Sequence, residues 1–138
     1  MAVILIRHGR VEKTQGLPLS PDGQSFAGGL SGAFSARHIR KLMSTADGHC
    51  LATLRPLSDA LGINIDTFSS VTEVSSAIRQ GDWSINDIVI LFRMANADAI
   101  FRAVGLVGQG PSSSDEAYGN MWFVDVESRK VKLVATGY

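Results

Sequence analysis

The sequence predicts an α/β fold, a three-layer α/β/α sandwich with a mostly parallel sheet and an antiparallel edge. Apolar runs typical of buried strands alternate with helical segments along most of the chain, and two further strand segments close it. Alternating strands and helices indicate a parallel sheet covered by helices on both faces, and a terminal strand pair indicates an antiparallel edge. The 138 residues show no linker or internal repeat, so we expect a single domain spanning residues 1–138.

Apolar runs, capping residues and helix breakers locate the individual elements. The first helix begins at Ser20 as N-cap with Pro21 in the first helical position. Asp47 is the predicted N-cap of the second helix, and Pro56 within that helix predicts a kink or a break. The predicted strands are residues 3–6, 41–45, 63–68, 87–92, 121–126 and 131–135, and the helices after the first are residues 49–61, 71–80 and 95–104.

Composition and charge exclude several classes of function. Lys and Arg number 13, as do Asp and Glu, and no basic run exceeds two residues, so we expect no nucleic-acid partner and no electrostatic binding to membranes. The one cysteine, Cys50, precludes an internal disulfide and fits a reducing compartment. No signal peptide, membrane-spanning run or metal-ligand spacing is visible. We therefore expect a cytoplasmic protein without metal or cofactor.

The residues Arg7, His8 and Gly9 directly follow the first buried strand. Ligands of open α/β sheets bind beyond the carboxyl ends of the strands. A histidine there can attack phosphorus, and an adjacent arginine offers a planar donor fork that matches phosphate. The alternative is a strand end that carries two polar residues by chance.

Further segments extend this pattern over most of the chain and resemble the histidine phosphatase (phosphoglycerate mutase-like) superfamily. In that family an apolar strand, Arg-His-Gly, a variable loop and a Leu-Thr/Ser-x-x-Gly helix entry follow one another. The length of this chain resembles the short, capless branch that includes phosphohistidine phosphatases. The segments that carry the resemblance are residues 3–9, 17–24, 42–45, 61–62, 87–92 and 118–121, together with Thr53 and Glu73.

The resemblance implies catalytic roles for His8, as the nucleophile, and for Glu73, as the acid that protonates the leaving group. It implies phosphate-binding roles for Arg7, Arg93 and His49. Two of these residues depart from the family pattern, since His49 stands where the family has a second arginine and Arg93 where it has a second histidine. The alternatives are a solvent-facing residue at the helix start for His49, a surface residue for Arg93, and an ordinary solvated carboxylate for Glu73.

Two functions are consistent with this altered pocket. The first is a phosphoric monoester hydrolase that acts on a phosphomonoester or phosphoprotein through a phosphohistidine at His8. The second is a catalytically degenerate relative that binds a phosphorylated ligand or a protein partner without turnover. The enzyme requires a neutral His8 in line with phosphorus, whereas the binding protein requires only the cationic residues. We expect the partner to be a phosphorylated small molecule or a phosphoprotein.

Overall fold

A computed structural model describes residues 2–7, 19–81, 83, 86–93, 95–106, 111, 119–125, 128 and 130–135. Within these ranges, strands and helices alternate up to residue 103 and two strands follow. The elements are β1 (Ala2–Arg7), α1 (Pro21–Ala33), β2 (Ile39–Ser44), α2 (Gly48–Leu61), β3 (Ile65–Thr67), α3 (Val71–Gln80), β4 (Asp87–Phe92), α4 (Ala97–Ala103), β5 (Asn120–Asp125) and β6 (Val131–Ala135).

The strands form one six-stranded sheet in the order β3-β2-β4-β1-β5-β6. Strands β1 to β4 pair in parallel, whereas β5 pairs antiparallel with both β1 and β6. This confirms the predicted mostly parallel sheet with an antiparallel edge. Because β2, β4 and β1 are neighbours that run in one direction, the segments that follow them begin at the same edge of the sheet.

Helices cover both faces of the sheet, which confirms the three-layer prediction. Alternate residues of β1 point to opposite faces, as the strand period of two requires. Val3 and Leu5 pack in a core with residues of α3 and α4, whereas Ile4 and Ile6 pack in a second core with residues of α1 and α2. The central strands β1 and β4 are therefore buried on both faces, which explains why their sequences are continuous apolar runs.

Local sequence signals explain where several helices begin and end. The Ser20 hydroxyl accepts a hydrogen bond from the amide of Gly23 (3.1 Å) and caps α1 as predicted. Gly62 ends α2 with a left-handed φ of 69°. The predicted bounds of α3 and β4 agree with the structure, whereas β3 and α4 are shorter than predicted.

Of the kink or break predicted at Pro56, the break does not occur, because α2 continues through this residue. Pro56 is exposed, whereas the buried side of the helix is formed by Cys50, Thr53, Leu54 and Leu57. The proline ring and the position of its missing amide donor thus face solvent. Packing of the buried side against the core stabilises the helix by more than the proline destabilises it. None of the helices in the described ranges has the length and apolar character needed to cross a membrane.

Candidate functional site

Three predicted site residues lie at the carboxyl edge of the parallel strands. Arg7 is the last residue of β1, and it is paired in register with Phe92, the residue before Arg93 at the end of β4. His49 lies in the first turn of α2, which follows β2 on the other side of β4. The sheet order therefore brings together residues that are distant in sequence, at the edge where α/β proteins bind ligands.

The electrostatic environment of His49 includes the other two residues. The pKa of His49 is lowered, first because the imidazole is partly buried and then because Arg93 and Arg7 disfavour a further positive charge. The Asp47 carboxylate acts in the opposite direction on the same pKa. The charges of two guanidinium groups and one carboxylate therefore act on the pKa of His49. His8, the predicted nucleophile, lies outside the described residues.

The two arginines of this cluster differ in exposure. Arg7 is 8% exposed, whereas 41% of the Arg93 side chain is exposed. The backbone amide of Arg93 donates to Oδ1 of Asn96 (2.8 Å), which fixes the chain as it leaves β4. A buried arginine and a more accessible one thus lie at the ends of neighbouring parallel strands, at the same edge of the sheet.

Asp47 is part of this cluster, although the sequence predicted only a helix cap at this position. It has the backbone conformation of an N-cap, but its side chain makes no capping hydrogen bond. Its Oδ2 instead accepts from the Thr45 hydroxyl (2.7 Å) and lies 3.3 Å from Nη1 of Arg93. The pKa of Asp47 is lowered, chiefly by the Thr45 hydrogen bond and further by Arg93 and His49, against the opposing effect of burial. The signal for this role was its position in the short connection between β2 and α2.

Glu73 makes a local contact at the start of α3. Its carboxylate accepts a hydrogen bond from the backbone amide of Ser69 (2.7 Å). It also lines a polar groove in which Lys41 and Asp66 form an ion pair with an N–O distance of 3.0 Å. Among the groups that shift the pKa of His49, the described part of the chain includes Asp47, Arg93 and Arg7 but not Glu73. Its role as proton donor remains a prediction.

Cys50 is next to the cluster in sequence but is a core residue. It is fully buried, and burial raises the pKa of its thiol to about 11. A thiol with such a pKa is protonated at neutral pH and is a poor nucleophile. Within the described ranges, no group of three or more His, Cys, Asp or Glu side chains is arranged to hold a metal ion.

Sequence comparisons find no match, either to protein-family models or to curated proteins. Solved structures with the same fold do exist. The protein histidine phosphatase SixA complexed with tungstate superposes with a TM-score of 0.69 at 14% identity, covering 97% of this chain and 94% of that one. Mycobacterial glucosyl-3-phosphoglycerate phosphatase Rv2419c, complexed with VO3, gives a TM-score of 0.73 at 12% identity and 99% coverage of both chains.

A third structure, Bacillus stearothermophilus YhfR, gives a TM-score of 0.67 at 13% identity, covering 99% of this chain and 96% of that one. These likenesses extend over the whole domain of each protein, at identities where only the fold can be compared. The mostly parallel sheet, its antiparallel edge and the helices on both of its faces agree with the fold expected from the sequence. This chain has the α/β fold of the small histidine phosphatases.

Proposed function

We propose that this protein binds a phosphoryl group between Arg7, His49 and Arg93 and hydrolyses a phosphomonoester or phosphoprotein through His8. The observation that carries the proposal is that Arg7 and Arg93 lie at the ends of neighbouring parallel strands, at the carboxyl edge of the sheet. Arg93 also lies 3.3 Å from Asp47, the N-cap residue of the helix that carries His49 in its first turn. The fold supports it, because two structural neighbours are phosphatases complexed with the oxyanions tungstate and VO3.

The proposed reaction has two steps, each a displacement at phosphorus. In the first, a ring nitrogen of His8 forms a bond to phosphorus while the bond to the leaving oxygen breaks, and a proton passes to that oxygen. In the second, water forms the new P–O bond and gives a proton to the carboxylate that donated one in the first step, while the N–P bond breaks and inorganic phosphate leaves. Arg7 and Arg93 stabilise the negative oxygens in both steps, which is how proteins accelerate most phosphoryl transfers.

Glu73 is the proposed source of the proton for the leaving oxygen. To supply it, the carboxyl group must turn away from the amide of Ser69, which it now contacts at 2.7 Å. A carboxyl that exchanges a local capping bond for a substrate contact is compatible with its exposed position at the start of α3.

A titratable His49 distinguishes this pocket from one with a permanent cation in the same place. Burial and the two arginines lower the pKa of His49, so they disfavour its protonated form before phosphate binds. A bound phosphate dianion favours its protonation, because an opposite charge nearby raises the pKa of an imidazole. Binding of phosphate is therefore expected to be coupled to proton uptake by His49.

The second candidate is the degenerate relative that binds phosphate without turnover. The Asp47 carboxylate favours this candidate, because it lies at 3.3 Å from Arg93 and reduces the positive charge available to a substrate. The lowered pKa of His49 acts in the same direction. Such a pocket retains anions through Arg7 and Arg93 but stabilises a transition state less than a pocket with three permanent cations.

Hydrolysis of an aryl phosphate, combined with calorimetric binding of inorganic phosphate, separates these candidates. The enzyme is supported if the parent protein turns over and His8→Ala abolishes turnover, while the buried control Cys50→Ala retains it. An acid-labile phosphoryl group on the parent, absent from His8→Ala, identifies the intermediate. Phosphate binding without turnover supports the degenerate relative, and a parent protein that binds no phosphate contradicts both.

A further inference from the structure

One acidic side chain lies within the basic cluster. The Asp47 Oδ2 atom contacts both Thr45 Oγ1 at 2.7 Å and Arg93 Nη1 at 3.3 Å, while its charge also acts on His49. We propose, resting on the function above, that Asp47 is an internal counterion that occupies Arg93 until a phosphoryl group displaces it. By this competition Asp47 limits how tightly the site retains phosphate, including the phosphate released as product.

The hydrogen bonds of Asp47 indicate that its carboxylate is directed at Arg93 and not at its own helix. An aspartate in the N-cap position ordinarily accepts a hydrogen bond from an amide of the first helical turn. Asp47 has the N-cap backbone conformation with φ −63° and ψ 139°, yet its side chain makes no such bond. The Thr45 hydroxyl donates to the same oxygen that faces Arg93, which positions that oxygen toward the guanidinium.

The exposure of the pair makes displacement feasible. The side chains of Arg93 and Asp47 are 41% and 35% exposed, and their N–O distance of 3.3 Å is long for a charge-assisted hydrogen bond. Ion pairs this accessible to water contribute little net stability. A phosphate dianion that contacts Arg93 and a second guanidinium can therefore replace the carboxylate, but it does so against the negative charge of Asp47.

Removal of that charge gives a direct test. Asp47→Asn keeps the size of the side chain and an oxygen that can accept from Thr45, but it removes the anion that competes for Arg93. We expect calorimetry with inorganic phosphate at pH 7.5 to show binding tightened by about threefold to tenfold, the effect of removing a weak ion pair and a nearby like charge. Inhibition by phosphate in the aryl phosphate assay should strengthen by a similar factor.

Two control variants separate the counterion from a general effect of charge or folding. Asp59→Asn changes the same charge at an exposed position further along α2 and is expected to leave phosphate binding unchanged. Asp47→Ala must also tighten binding, so that the result does not depend on one replacement. Urea unfolding of each variant identifies any change that comes from lost stability.

A double-mutant cycle shows whether Asp47 acts through Arg93. In an Arg93→Gln background, the effect of Asp47→Asn on phosphate affinity should fall well below its effect in the parent. An equal effect in both backgrounds, or an Asp47→Asn protein that binds phosphate no more tightly than the parent, overturns the counterion role. If the parent binds phosphate and only these comparisons fail, the proposed function stands without it. If the parent binds no phosphate, the proposed function itself fails, and the counterion role fails with it.

Discussion

Substitution of Arg93 by glutamine tests the site at one of the two residues whose types depart from the pattern of the family that the sequence resembles. Arg93 is partly exposed, and its ion pair with Asp47 has an N–O distance of 3.3 Å. Exposed pairs contribute about 0.2–1 kcal/mol, so Arg93→Gln should lower the free energy of unfolding by less than about 1 kcal/mol. Hydrogen bonds to charged groups are worth about 1.5–3 kcal/mol, so the same variant should bind inorganic phosphate about tenfold to a hundredfold more weakly.

The matched control for this variant is Arg102→Gln. Arg102 is an exposed arginine of α4 that lines a cavity with Val3 and Val124, away from the carboxyl end of β1. Calorimetry with phosphate and urea unfolding should be carried out on both variants and the parent. The two variants should have similar stability and differ only in phosphate affinity. If both bind phosphate as the parent does, Arg93 is not a ligand-binding residue and the proposed site is wrong.

Three further predictions concern single side chains. His49→Arg should bind phosphate with a weaker pH dependence than the parent: the pKa of His49 is lowered in the free protein and raised by phosphate, so the affinity of the parent falls as pH rises through the imidazole range. Phosphate itself titrates equally in both experiments, so its titration cancels in the ratio of the variant's affinity to the parent's between pH 5 and 8. A ratio that stays constant would place His49 outside the pocket. Gly81→Ala should destabilise the protein by about 1–3 kcal/mol, because the new methyl group meets the buried indole of Trp83. Gly32→Ala, in α1 where the new carbon enters open space, should stabilise the protein by about 0.5–1 kcal/mol. Urea unfolding measures both variants, and equal changes in their free energies of unfolding would contradict this packing. Alkylation of the native protein at pH 8 should leave Cys50 unmodified, since it is fully buried with a thiol pKa of about 11, and rapid modification would show that this core opens.

The pH dependence of stability has a defined sign for His49. Its pKa in the folded protein is lower than in the unfolded chain, so the unfolded chain binds more protons between the two values. The contribution of His49 to stability is therefore present above about pH 6.5 and declines as pH falls below that value. His49→Gln should remove this part of the decline in urea unfolding between pH 5 and 7, and an unchanged decline would contradict the shift.

Features with a local cause could be predicted from the sequence. The bounds of β4 follow from a continuous apolar run, and those of α3 from its helical periodicity and the glycine that follows it. The start of α1 follows from Ser20 and Pro21, since a cap depends on residues only three positions apart. The layered fold also follows, because strands that are apolar on both faces must be covered by helices on both sides.

The sequence by itself determined that Arg7 follows a buried strand. It also determined that His49 and Arg93 come after two other predicted strands. It did not determine the sheet order, and only that order places β2, β4 and β1 side by side. Asp47 illustrates the difference: its sequence neighbours indicate a helix cap, but its carboxylate contacts Arg93, which is 46 residues away. Hydrogen-bonding and periodicity patterns extend over a few residues, whereas the partner of a side chain at a sheet edge depends on which strands are adjacent. The local pattern therefore predicted the elements, and only the tertiary structure decided which charges meet at the site.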